Sequence, residues 1–82
     1  RLNELVGLIK DRPQFLGIGI DESTALIVQG SEAEVQGKGK AFFVDGNRGE
    51  DEPKYTAVEP GKRFNLTARR VVEDAADMAV GQ

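Results

Sequence analysis

The chain has 82 residues, a formal net charge of -3, no cysteine and no histidine. That length supports one small domain, which buries only about 60% of its unfolded surface, and the missing Cys and His exclude a disulfide framework and a Cys/His zinc centre. Acidic and basic residues are mixed, so there is no basic stripe for nucleic acid or an anionic membrane surface, and no apolar run approaches the roughly 18 residues of a membrane span.

Leu2, Leu5, Val6 and Ile9 recur at i, i+3, i+4 and i+7 and predict an amphipathic helix. No capping residue precedes it, so the pattern reads as a helix already under way at Arg1, in a fragment of an α/β unit whose preceding strand lies outside this sequence. Pro13 is expected to end the helix, because proline lacks the backbone donor and disfavours helix at the residue before it. A buried strand is expected next. Its Leu16, Ile18 and Ile20 alternate with Gly17 and Gly19, so one face carries branched apolar side chains and the other is nearly bare. Glycine in a strand costs roughly 0.5–1 kcal/mol relative to alanine, and two on one face imply a neighbour packed against the backbone. The strand closes on Asp21 and Glu22, and in open α/β sheets chemistry collects beyond the carboxyl ends of the strands.

Downstream the pattern turns to β-structure. Residues 25–29, 32–36 and 41–45 read as strands close enough to form antiparallel hairpins, the first two joined by the turn Gly30-Ser31. Glu32 and Glu34 share a face opposite Ala33 and Val35, a pattern that suits an edge strand. Gly37-Lys38-Gly39-Lys40 lacks P-loop spacing and reads as a turn with solvated lysines, while Glu22 stands where the third glycine of a dinucleotide fingerprint would follow Gly17 and Gly19. Residues 46–54 form an acidic loop. Asp45, Asn47 and Gly49 open like a calcium loop, but Glu50 takes the place of the required glycine, so no metal site is assigned. Residues 56–58 and 64–68 are short strand candidates around the turn Pro60-Gly61, and Asn65-Leu66-Thr67 matches a glycosylation acceptor. Residues 71–79 carry apolar side chains at helical spacing and predict a short docking helix or a frayed end.

The run Gly17-Ile18-Gly19-Ile20-Asp21-Glu22-Ser23-Thr24-Ala25 resembles the signature of the cyanophycinase-type serine peptidases, relatives of the class I glutamine amidotransferase-like fold. The likeness extends back to Arg1-Leu2-Asn3 and forward through Gly37-Lys38-Gly39-Lys40 and Val44-Asp45-Gly46, and it fades after about Arg70. It implies that residues 1–82 are the C-terminal part of one flavodoxin-like or glutamine amidotransferase-like α/β domain: one N-terminal helix, a buried strand, then mostly antiparallel strands. The family uses a serine nucleophile, a histidine base and a glutamate that orients the histidine. By position in the motif Glu22 is that glutamate, and its task is to accept the imidazole N–H, fix the tautomer and stabilise the imidazolium. Asp21 is expected to bond nearby backbone and shape the turn, with Gly17 and Gly19 backing the strand that supports the site.

Arg1 falls, by its spacing to Glu22, at a substrate-binding arginine of the family, whereas Glu4 stands where the next arginine is expected. That departure leaves room for a general isoaspartyl-dipeptide hydrolase beside the arginine-bearing aspartate polymer cyanophycin, the type substrate. The resemblance further implies a homodimer, a peptide substrate, no cofactor and no metal. Cytoplasmic placement is favoured, with secreted forms compatible. Without a histidine, Ser23, Thr24 and Ser31 have no base to activate them, so the 82 residues alone do not run this catalysis. The residues themselves leave a second reading open: a small β-rich binding module, or an inactive relative, in which the two carboxylates only terminate a strand.

Overall fold

The computed structural model describes residues 2–73. Helix α1 (Leu2–Ile9) turns Ile9 fully inward and leaves Leu2, Leu5 and Val6 half-buried, as the apolar spacing requires. It lies on the bare face of β1 (Leu16–Ile20). A Cβ added to Gly17 would stand 2.8 Å from Ile9 Cγ1 and 2.9 Å from Leu5 Cδ1, so the missing side chain is what lets the helix sit down. The helix stops at Ile9, ahead of Pro13 rather than at it. The Arg12 N–H donates to the Ile9 carbonyl at 2.8 Å and the Arg12 guanidinium donates to the Leu8 carbonyl, which caps the last turn.

The strands form two sheets, and every neighbouring pair is antiparallel. One sheet runs in the order β1, β4 (Ala41–Asp45), β5 (Thr56–Val58); the other runs β2 (Thr24–Gln29), β3 (Glu32–Gly37), β6 (Arg63–Asn65), β7 (Arg70–Val71). The chain is therefore α/β, with one N-terminal helix and antiparallel strands in two sheets. In the core between the sheets, Phe43 of β4 stacks on Phe64 of β6 with ring centroids 3.9 Å apart and planes 8° from parallel. Ala33, Val35, Ala41 and Val58 close around this pair. Each fully buried Phe or Val side chain contributes about 1.5–3 kcal/mol through removal from water.

Several expectations change. The strand carrying the two glycines is an edge strand, not a buried one: β4 covers one side of it, and Ile18 and Ile20 remain 40% and 47% exposed. Conversely β3, expected at an edge from Glu32 and Glu34, lies between β2 and β6. Its two faces divide as the alternation predicts, with Ala33 and Val35 buried, and Glu32 is accommodated by Arg63 Nη1 at 2.8 Å. β3 and β4 do not form a hairpin. Residues 38–40 instead carry the chain from one sheet to the other. β6 ends at Asn65, whose Oδ1 accepts the N–H groups of Thr67 at 2.9 Å and Ala68 at 2.8 Å, so the expected strand over 64–68 gives way to an Asx-type turn. Of the expected helix at 71–79, Val71 is a strand residue, and the part from residue 74 onward lies outside the described residues.

That turn ends at Arg69, in left-handed backbone with φ of 60°. Arg69 Nη1 meets Asp45 Oδ1 at 2.6 Å and the carbonyls of Pro13 and Phe15 at 3.2 Å, while Nη2 meets the Gln14 carbonyl at 3.0 Å. One planar guanidinium thus ties the segment entering β1 to the end of β4. A lysine ammonium lacks the fork needed to span these acceptors. Arg69→Lys and Arg69→Ala are both expected to lower stability by about 1–3 kcal/mol, read as a shift in the urea midpoint. The two helix-proximal glycines should respond oppositely. Gly17→Ala is expected to destabilise by about 1–3 kcal/mol through overpacking against Ile9 and Leu5, whereas Gly7→Ala, with open space around the added methyl, should stabilise by about 0.5–1 kcal/mol.

Candidate functional site

The two carboxylates after β1 sit in a turn locked by backbone and side-chain hydrogen bonds. Asp21 donates its N–H to the Lys40 carbonyl at 3.0 Å, and its Oδ2 accepts the Lys40 N–H at 2.9 Å, so one residue closes two bonds onto the start of β4. Thr24 Oγ1 accepts the Gly39 N–H at 2.9 Å and donates to the Glu22 carbonyl at 2.9 Å. Between them Ser23 adopts φ of 56° and its carbonyl accepts the Lys38 N–H at 3.0 Å. A left-handed non-glycine residue costs roughly 1–3 kcal/mol and persists where its surroundings over-determine it. Gly39 is required by this arrangement, since an added Cβ would come within 2.5 Å of Asp21 Cβ and 2.8 Å of Thr24 Oγ1.

The lock fixes the backbone of Glu22 and leaves its side chain free to act. Among the described residues, no side chain hydrogen-bonds to or pairs with its carboxylate, which is exposed. Glu22 and Asp21 line a cleft of about 690 Å³ together with Leu2, Leu5, Ile18, Gly19, Ile20 and Phe42. That volume is within the range of small-ligand sites. Its described lining mixes apolar side chains with polar groups, and among the described residues its ionisable groups are the two carboxylates, with no Lys or Arg beside them. A group that presents an N–H or a positive charge is what such a rim can hold.

The structure brings Asp21, Glu22 and Gly19 to this cleft and places Gly17 beneath helix α1, while Arg1 lies outside the described residues. Glu4 is exposed on α1. Asp21 bonds backbone, but that of Lys40, 19 residues on, rather than of its own turn. Sequence reasoning missed Thr24, Gly39 and Lys40 as parts of the site. The available signal was the paired glycines flanking Lys38, which the residues alone gave as a solvated turn and the resemblance included without a role, because nothing local shows what they approach. Comparison of the chain with protein-family models, with curated proteins and with solved structures finds no match.

The two adjacent acids should behave differently on substitution. Asp21→Ala is expected to cost about 1 kcal/mol and to speed amide hydrogen exchange at Gly39 and Lys40. Glu22→Gln should change stability by less than about 0.5 kcal/mol and leave those amides protected.

Proposed function

We propose that this chain is the acid-bearing part of a serine exopeptidase of the cyanophycinase type, in which Glu22 orients a histidine supplied by polypeptide outside these residues. The observation that carries the proposal is the locked turn, which holds Glu22 at the C-terminal end of β1, over a cleft, with its carboxylate unengaged among the described residues. An orienting carboxylate needs a fixed backbone and an open lone pair, and both are found at this position.

The outer edge of β1 also supports a larger sheet. The Phe15 carbonyl accepts the Gly46 N–H and the Asp21 N–H donates to the Lys40 carbonyl, so odd-numbered residues face β4. Because bonding alternates along an antiparallel pair, the peptide groups of Leu16, Ile18 and Ile20 point to the open side. A further strand there would extend the sheet toward the flavodoxin-like arrangement, cover Ile18 and Ile20, and bring its own C-terminal end beside Glu22. Serine and imidazole would enter the cleft from that side. Substrates in this reading are β-aspartyl peptides, including aspartate chains bearing arginine, hydrolysed without metal or cofactor by a homodimer.

A second reading has its own support. The two sheets close a core around Phe43 and Phe64 from residues of this chain, and a cleft whose described ionisable groups are both carboxylates suits a cationic ligand on a binding module with no hydrolytic role. Turnover separates the two. In the polypeptide that joins this chain to its serine and histidine, Glu22→Gln should leave folding intact and lower kcat by roughly the 10⁴-fold seen when a triad acid is neutralised. Unchanged kcat on β-aspartyl dipeptides would remove Glu22 from the chemistry and favour the binding module.

A further inference from the structure

The Glu22 side chain makes no bond among the described residues, so the direction of its carboxylate is set by its backbone. Among those residues one hydrogen bond reaches that backbone: the Thr24 hydroxyl donates to the Glu22 carbonyl at 2.9 Å. The same oxygen accepts the Gly39 N–H at 2.9 Å, 15 residues further on. A hydroxyl that only shaped its own turn would need the first bond and not the second. With both, Thr24 ties the peptide group after Glu22 to the segment that crosses between the sheets. The Asp21 bonds to Lys40 hold the residue before Glu22 and do not reach its carbonyl. Glu22 and Ser23 are exposed whereas Thr24 is half-buried, and branching at Cβ restricts its χ1. Gly39 comes as close as a residue without a side chain can, since a Cβ there would lie 2.8 Å from Thr24 Oγ1.

We propose, resting on the peptidase reading above, that Thr24 is the positioning residue for Glu22. Its hydroxyl fixes the plane of the peptide group after Glu22, and with it the line along which the carboxylate meets the imidazole. Thr24 is not among the residues that line the cleft, so its effect reaches the chemistry through Glu22. The imidazole has to be held in one tautomer and one orientation, and a displacement of about 1 Å in such a constellation costs about 10²-fold in rate. Substrate binding is not involved, so the loss falls on kcat and spares KM. Valine has the shape of threonine with neither donor nor acceptor, whereas serine keeps both.

The test uses the polypeptide that joins this chain to its serine and histidine, assayed on β-aspartyl dipeptides. Thr24→Val is expected to lower kcat by about 10²-fold with KM unchanged, and Thr24→Ser to recover most of that loss. In a Glu22→Gln background Thr24→Val should lower kcat no further, because no carboxylate is left to position. In the 82-residue chain Thr24→Val should speed amide exchange at Gly39 and keep the far-UV circular dichroism spectrum, and Thr24→Ser should keep both. If Glu22→Gln lowers kcat while Thr24→Val does not, or if the two losses multiply in the double variant, the positioning role falls and the peptidase reading stands. Thr24→Ser as damaging as Thr24→Val, or a Thr24→Val chain that unfolds, would also overturn it by making the residue structural. Unchanged kcat in Glu22→Gln removes the peptidase reading and this inference together.

Discussion

The stacking of Phe43 on Phe64 is the contact through which the molecule becomes one body. A three-stranded and a four-stranded antiparallel sheet each need an apolar face covered to be stable, and this ring pair joins their inner faces, with Ala33 and Ala41 in the same buried cluster. Phe43 also fixes β4, and β4 is the strand on which β1 depends for its register. Displacing the aromatic pair would therefore reach the site through two steps of backbone pairing, without any direct contact with Glu22.

Rigidity at the site is built by a division of labour between neighbours. Asp21 and Thr24 use their oxygens to hold the Gly39 and Lys40 amides, and Ser23 accepts an unfavourable backbone conformation so that the chain can turn away from the strand. Glu22 is left as the acid that no local bond consumes. If the turn merely needed solvent-exposed acids to end a strand, neither the left-handed serine nor the close approach of Gly39 would be necessary. The strain and the tight packing hold the end of β1 and the start of β2 against residues 38–40, and with them the Glu22 backbone.

The elements were legible in the sequence and their neighbours were not. Alternation placed β2, β3, β4 and β5 within a residue of their observed bounds, and the bare face of Gly17 announced a close neighbour, which the structure shows to be the helix. Period-two patterning, however, records which face of a strand is buried and says nothing about which strand lies beside it. Glu32 and Glu34 looked like edge protection because a half-buried ion pair with Arg63 and an exposed acidic edge leave the same pattern in the chain. Ile18 and Ile20 looked buried because an apolar face at an uncovered sheet edge has the same spacing as a covered one. At the site, the carboxylates and glycines could be picked out, while the contacts of Asp21 with Lys40 and Thr24 with Gly39 span 19 and 15 residues and leave no local trace.

The treatment of strand edges carries the argument one step further. Two open antiparallel sheets have four edges, and an unpaired row of peptide groups invites association wherever it is long, flat and apolar. β5 and β7 are too short to offer such a row, so the molecule has spent its protection there and left β1 and β2 open. At β1 the open peptide groups run toward the end of the strand at Asp21 and Glu22, so a strand added there would lie beside the cleft those residues line. At β2 they run from Thr24, itself part of the locked turn, toward the Gly30-Ser31 turn. The turn of residues 21–24 separates the two open strands along the chain, and its hydrogen bonds to residues 38–40 tie the end of β1 and the start of β2 to the segment that passes from one sheet to the other.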